Sequence, residues 1–585
     1  MLHYTLQADP LSHQWQIELT FEQPAPIASV LSLANWVPGS YMIRDFARHI
    51  VNIEAECNSQ PETLMQHNKN TWHTTPKAGK WIIRYTVYAN DLSVRGSFLN
   101  HERAFFDGAC LFLKVEGLSE QTHRVSLRDL PADWQVATTL PAVPASEHEF
   151  SAPSYAELID HPVEIGQLEI LTFQANGINH RIALSGHYAD FDRERLLQDV
   201  EKICATTLQM FPAPAPFSEY LFMLFLGNRV YGGLEHLSST ALMADHRSLP
   251  ARGIKAADDA YTELLGLFAH EYFHAWNVKS IKPAAFQPYL LDNESHTELL
   301  WAFEGITSYY DDLLLARSGV ISADAYLKLL ANNLTRVQQG NGRLKQTLAQ
   351  SSFNAWTKYY KQDENSPNAI VSYYQKGALA ALCLDLLIRE RSQQQHSLDS
   401  VMQALYQDWL ENGKGLQENE WQRRAEEVTG LNLEDFFQEA IFSTRDLPLN
   451  ACLKTAGIDL HWLPAARGNG GNVVSEFPAE NSVADFGARF KQNGDSITLT
   501  HVFNHSSAEC ASLSAQDRIV ALNGFQCSEF DKLWQRFAVG DCVSVHYFRH
   551  GYLLQTELSV QAAAADTAYL KVEDKALLNH WLQSK

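Results

Sequence analysis

His270-Glu271-Tyr272-Phe273-His274 places two imidazoles four residues apart with a carboxylate between them. On a helix, residues at that spacing share one face, so both rings can reach one metal ion. Glu271 lies about 100° further round, where it can hold a metal-bound water without itself being a ligand. The preceding run, Leu264-Leu265-Gly266-Leu267-Phe268-Ala269, is apolar and helix-compatible, as this arrangement requires. A metal that is to do chemistry needs a third protein ligand and an open position. Past His274, Pro283 and Pro288 end the helix, and a second helix-like stretch runs from Glu298 to Asp312. Within it Glu304 stands among apolar residues, where an unpaired carboxylate would be costly. Glu298, Asp311 and Asp312 read instead as a solvated face or supporting groups. His270, His274 and Glu304 are therefore the expected ligand set, and two imidazoles with one carboxylate favour a single zinc ion over calcium or magnesium.

A second carboxylate reads either as a substrate anchor or as the exposed glutamate of an ordinary hairpin turn. Glu235 follows Gly232-Gly233 and a strand-like run, Tyr220 to Leu226. Paired glycines let a backbone approach a ligand closely, and an edge strand can pair with an extended peptide. A carboxylate at the end of such a strand would bind a free α-ammonium and fix the scissile bond one residue away.

HEYFHAWNVKSIKP followed by WAFEGITSYYDD resembles the glycyl aminopeptidase family of gluzincin zinc metallopeptidases. Tyr231-Gly232-Gly233-Leu234-Glu235-His236 is similar to the exopeptidase segment in which the glutamate holds the substrate's amino group. Tyr374-Gln375-Lys376-Gly377 resembles the block whose tyrosine steadies the oxyanion, and the spacing to Lys376-Gly377 favours Tyr374 over its neighbour Tyr373. Trp36-Val37-Pro38-Gly39-Ser40-Tyr41, Arg44-Asp45-Phe46 and Asn100 to Phe106 resemble the family's N-terminal signatures. Ser514 to Gly524 resembles the PDZ segment that leads through a turn into a hairpin, with Ala484 to Phe490 as the carboxylate-binding loop and edge strand. The loop departs from the usual Gly-Leu-Gly-Phe, so a purely structural domain competes with a peptide-binding one.

The elements that must position these residues change along the chain. Residues 1–170 alternate polar and apolar in short runs such as Gln14 to Phe21, Trp81 to Tyr88 and Leu111 to Val115, which predicts strands of a β-sandwich-like domain. Residues 171–450 carry further strands, a helix near Arg193 to Met210 and then a long helical stretch, as a thermolysin-like zincin with a sheet lobe and a helical lobe requires. A Gly-rich stretch, Ala466 to Asn472, falls near the next boundary, after which strand-like pieces return. The expected fold is α+β and multidomain. The N-terminal β domain spans 1–170, the catalytic domain 171–450 and the PDZ-like domain 455–562, with a tail containing a short helix over 563–585.

Composition narrows the partners. The 585 residues carry a net charge of −22, which opposes binding to nucleic acid or to anionic membranes. No apolar run is long enough to span a bilayer, and the first residues lack the basic and apolar regions of a signal peptide. The eight cysteines are scattered without paired spacing, as free thiols in a reducing compartment would be, so a cytoplasmic location is expected. The resemblance implies an aminopeptidase removing small residues, glycine or alanine, from peptides with a free N-terminus. A peptide C-terminus at the PDZ-like domain is the further partner it allows. The competing readings are a zinc endopeptidase using that domain to recruit substrates, an epoxide or ester hydrolase, and a peptide-binding scaffold with a silent metal site.

Overall fold

The computed structural model describes residues 1–144, 146–468 and 470–583. Asn469 of the Gly-rich stretch and the last two residues of the expected tail lie outside the described residues. The chain divides into two compact units, Met1–Ser295 with Leu405–Leu416, and His296–Ala404 with Gln417–Lys585. That division falls between the His-Glu-x-x-His segment and Glu304, inside the stretch expected to be one catalytic domain.

The first unit begins with a seven-stranded sheet in the order Glu149–Ala152, His123–Arg128, Leu2–Asp9, Gln14–Gln23, Gly79–Tyr88, Ile50–Cys57, Gln60–Glu62. Strict alternation builds it: Trp15, Ile17, Leu19 and Phe21 are buried while their neighbours face outward, so one face packs and the other is polar. Two four-stranded sheets complete this β-rich region and share its hydrophobic core.

One expected strand does not form as read. Only Lys114–Val115 is a strand; Leu111, Phe112 and Leu113 are an irregular segment with no exposed surface. Their carbonyls are satisfied by phenols instead of a ladder. Tyr85 donates to Leu111 O, Tyr155 to Phe112 O and Tyr4 to Leu113 O, each at 2.8 Å. A short apolar run signals burial, but it does not say which groups will pair its backbone.

The chain then enters a five-stranded mixed sheet ordered Glu169–Ala175, Ile178–Gly186, Glu219–Gly227, Ser239–Asp245, Gly232–Glu235. Gly232–Glu235 is its edge, antiparallel to Ser239–Asp245 with Glu235 opposite Thr240. The helices Arg193–Met210 and Asp259–Phe273 follow in this unit, and the first matches the span read from the sequence.

The second unit is helical up to Thr455. A π-helical turn, Trp301–Gly305, runs directly into the α-helix Ile306–Arg317, where the sequence suggested one uninterrupted helix. A Cβ on Gly305 would sit 2.6 Å from Gly377 Cα, so the turn packs backbone to backbone against the Gln375–Arg391 helix. Beyond these helices Ile458–Leu463, Thr567–Val572 and Asn472–Val473 make a three-stranded sheet. Between its strands lies a separate sheet, ordered Ala488–Asn493, Ser496–Val502, Arg518–Leu522, Cys542–Arg549, Tyr552–Ser559, over its own apolar core. The final helix, Lys575–Leu582, buries Trp581, whose Nε1 donates to Tyr309 Oη at 3.2 Å. No helix among the described residues is long and apolar enough to cross a membrane.

Replacing Tyr4 or Tyr155 by phenylalanine leaves a buried carbonyl without its donor. Each single variant is expected to lose about 1–3 kcal/mol of stability. Chemical denaturation read by circular dichroism checks this, and unchanged midpoints would mean that the phenols are not what satisfies the segment.

Candidate metal and substrate centre

The Asp259–Phe273 helix starts at Asp258, whose side chain accepts from Tyr261 N at 2.8 Å, and ends at His274. Leu264, Leu265, Leu267 and Phe268 are buried on successive faces, so the helix is enclosed on most sides. Placing His270, Glu271 and His274 at the end of so apolar a segment is costly unless they bind something. His270 Nε2 and His274 Nε2 lie 3.1 Å apart, with the rings nearly perpendicular at 87°. His274 Nδ1 is 2.8 Å from the Asn277 carbonyl, which fixes the proton on Nδ1 and leaves Nε2 as a donor to a cation. That carbonyl is held by an unusual backbone. Val278, β-branched, has φ 143, a costly conformation of the kind found where function over-determines the chain.

Glu271 is 5% exposed, and its Oε2 has no hydrogen-bond partner among the described residues. Burial raises its carboxyl to about 7; His270 pulls it down and Glu235 pushes it up again. Glu235, 4% exposed, comes from the edge strand to the same place: ligand atoms of Glu235, Glu271 and His274 lie within 4.8 Å of one another. Two carboxylates so close in a dry pocket repel each other unless a cation lies between them. Converging imidazole nitrogens, one fixed by a carbonyl, beside a buried carboxylate make a donor set that suits zinc.

Backbone without side chains makes this proximity possible. A Cβ on Gly233 would overlap Glu271 Oε1, and one on Gly39, at φ +93, would sit 2.5 Å from Glu235 Oε2. Both carboxylates thus rest directly on main chain, and the Gly39 contact brings in the Trp36 to Tyr41 segment quoted above. Gly232 has no comparable neighbour; a Cβ there would be 3.4 Å from the Arg95 guanidinium.

In the second unit, Glu304 is 2% exposed on the π-turn, whereas Glu298, Asp311 and Asp312 are partly exposed. π-turns recur at functional sites because the extra residue re-aims a side chain. Tyr374 immediately precedes the Gln375–Arg391 helix and is partly exposed, while Tyr373 is fully enclosed. Tyr374 Oη lies 3.4 Å from Tyr360 Oη. Gly377, which the sequence offered only as part of a motif, is the residue against which Gly305 packs.

Two family models match the chain: the peptidase M61 N-terminal domain over residues 3–167, and the M61 glycyl aminopeptidase over residues 263–380. The aminopeptidase N family protein from Idiomarina loihiensis has a solved structure that is 38% identical over 100% of both chains, with a TM-score of 0.95. The chain belongs to the M61 peptidase family. It is a metallopeptidase, and its substrates are peptides. An M1 zinc metallopeptidase from Deinococcus radiodurans is 16% identical, covering 77% of this chain and 93% of its own, at a TM-score of 0.47, too slight a likeness to carry an argument. No curated protein matches the sequence. The M61 catalytic match includes His270, Glu271, His274, Glu304 and Tyr374, and the N-terminal match includes Gly39.

One interaction beside these residues is not legible in the sequence. Asp160, in the turn after a short helix, accepts from Lys279 Nζ at 2.5 Å and from Leu237 N at 3.1 Å, and lies 3.3 Å from His236 Nδ1. It ties the residues following Glu235 to the segment following His274. Burial alone would raise the Asp160 carboxyl, but the Lys279 charge and the His236 contacts hold it well below the usual carboxylate range. Burial would lower Lys279, and Asp160 more than offsets this, holding the ammonium above its ordinary value. His236 and Lys279 stand beside the motifs without a role that sequence could assign, and nothing in the sequence marks Asp160.

The sign of the pH dependence follows. A depressed carboxyl stabilises fully above its unfolded value near about 3.9, and a raised ammonium does so below about 10.4. The pair therefore contributes between those limits and loses its effect on either side. Asp160→Asn is expected to cost about 1–3 kcal/mol at neutral pH, moderated by the partial exposure of Asp160, and almost nothing in strong acid. Denaturation midpoints measured across pH check this; a loss independent of pH would rule out the ion pair as its cause.

Proposed function

We propose that the chain is a zinc aminopeptidase in which His270, His274 and Glu304 hold one ion, Glu271 is the general base and Glu235 anchors the substrate's free ammonium. The observation that carries this reading is the second buried carboxylate beside the first: Glu235 together with Glu271 and His274. The general base accounts for Glu271. A peptide's N-terminal ammonium accounts for Glu235, because it supplies the positive charge that two neighbouring carboxylates need. An internal peptide bond brings no such charge. Glu304 joins the ligand set because it alone of the acids considered on its segment is buried.

Held by His270, His274 and Glu304, a zinc ion would supply a Lewis acid that lowers the pKa of water toward neutrality and polarises the scissile carbonyl. Glu271, unpaired at Oε2, takes the water's proton and returns it to the leaving amine. The Gly233 backbone against Glu271 and the Gly39 backbone against Glu235 keep the base and the anchor at a set separation. Extended substrate lies along the Gly232–Glu235 edge of the sheet, where Arg95 already holds the Gly233 carbonyl. Tyr374 donates to the developing oxyanion. The preference for glycine or alanine rests on the matched family, M61 glycyl aminopeptidase.

For the sheet near the C-terminus we propose a PDZ-like domain with a structural role. Phe530 packs on Phe486 at 5.0 Å and on Phe490 at 4.7 Å, so the aromatic side chains beside the Ala488–Asn493 edge strand are engaged with one another. Asp485 Oδ1 already accepts from Gly487 N at 3.1 Å, taking up an amide that a peptide carboxylate would need.

Zinc-loaded protein is expected to hydrolyse Gly- and Ala-p-nitroanilide but not their N-acetylated forms; cleavage of both would instead favour an endopeptidase. Glu271→Gln is expected to retain zinc while losing about 100-fold or more in kcat. Zinc content by atomic absorption and steady-state rates check this pair of outcomes. Glu235→Ala is expected to raise KM for free-amine substrates by about tenfold or more, and an unchanged KM would remove its anchoring role.

A further inference from the structure

A cavity of about 890 Å3 in the first unit lies outside the centre just described. None of His270, Glu271, His274 or Glu235 lines it, although the neighbour of Glu235, His236, does. Its volume is that of a site for a small organic molecule. Asp160, Lys279 and Lys282 also face it, with Tyr289 and Trp409.

Four carboxylates, Glu120, Glu157, Asp160 and Asp292, and three lysines, Lys114, Lys279 and Lys282, line this cavity; Lys114 pairs with Glu116 at 3.3 Å and Asp292 accepts from Asn70 Nδ2 at 2.8 Å. Asp160 is committed to Lys279, at 2.5 Å. Glu157, also at the wall, lies 3.5 Å from His161 Nε2. Lys282 is left with no carboxylate at ion-pair distance among the described residues. Its Nζ lies 5.6 Å from the ring centre of Tyr289 and 5.2 Å from that of Trp409, so two aromatic faces flank it, with Asp160 and Glu157 acting on it from further away. Burial, reinforced by the Lys279 charge, lowers the ammonium to about 8, and at neutral pH it is still mostly cationic. A largely enclosed cation between two aromatic rings, at the wall of a cavity of molecular size, matches one class of ligand. That ligand has an anionic group for Lys282 and an apolar body for the rings.

We propose that this cavity binds a small organic carboxylate with an aromatic or aliphatic body, its carboxylate paired with Lys282. The backbone supports the separation from the peptide centre. Glu235 turns toward Glu271 and His274, while His236 turns toward Asp160 and Asp107, so the two sites lie on opposite sides of one short segment. The proposal does not depend on the aminopeptidase reading.

The test is calorimetric titration of the zinc-loaded full chain with 3-phenylpropionate and with its neutral isostere, 3-phenylpropionamide. The acid is expected to bind, and the amide to bind at least about tenfold more weakly. Lys282→Met is expected to weaken the acid by a similar factor while leaving hydrolysis of Ala-p-nitroanilide unchanged, which also shows that the variant is folded. Trp409→Leu is expected to weaken acid and amide alike, by removing an apolar wall. Equal binding of acid and amide, or no binding at millimolar concentration, would overturn the proposal. So would undiminished binding of the acid to Lys282→Met, because the carboxylate would then be at the metal centre.

Discussion

Glu235 and Glu271 are buried together, and their mutual repulsion shapes everything around them. Water would screen two such charges, but here each is almost wholly enclosed and rests on a glycine backbone. The molecule meets that cost from several directions. His274 stands beside the carboxylates, His270 faces His274, and Arg95 donates to the Gly233 carbonyl at 2.8 Å. A rigid frame is then needed, because relaxation by an ångström or two would dissipate the repulsion that makes the pocket seek a cation. The edge strand, the end of the Asp259–Phe273 helix and the Asp160 tie supply that frame.

The β-rich region is part of the same frame rather than an appendage. Gly39, from its loop 36–41, sets how closely main chain approaches Glu235, and Asp160, from its far end, holds the turn after Glu235. Its core is stiffened where it is least regular. Three tyrosines from separate elements hydrogen-bond successive carbonyls of Leu111 to Leu113, so a segment without a ladder loses none of its pairing. Polar satisfaction inside an apolar core also favours this arrangement, because a shifted segment would leave buried carbonyls without their phenols.

Sequence made the chemistry legible where spacing maps directly onto geometry. His270 and His274 could be read because four residues make one helical turn, and their nitrogens do face each other. Glu304 could be singled out because its neighbours are apolar, and it is the buried acid of its segment. What escaped depends on chain reversal. Asp160 and Lys279 are 119 positions apart, and no local pattern connects a turn residue to a lysine so distant. The π-turn at Trp301–Gly305 escaped for a different reason: it differs from an α-helix by one residue per turn, below what apolar periodicity resolves over so short a span. The Leu111 to Leu113 segment looked like a strand because strands and buried irregular segments are equally apolar. Val278 was unreadable because the conformation it adopts is one its own side chain opposes.

The three-stranded sheet of the second unit carries a consequence for how the chain could be edited. Val473 pairs with Leu570, so the chain leaves this sheet and returns to it at nearly the same place. Everything between, with its own core, is an excursion whose ends are already side by side. Such an excursion is joined by two adjacent struts rather than by one leash, and Asn368 pins it further, donating from Nδ2 to Val502 O at 2.8 Å and accepting from Asn504 N at 3.0 Å. The adjacent ends also make the excursion modular: a body of another size can occupy the same two ends while the sheet beneath them keeps its register.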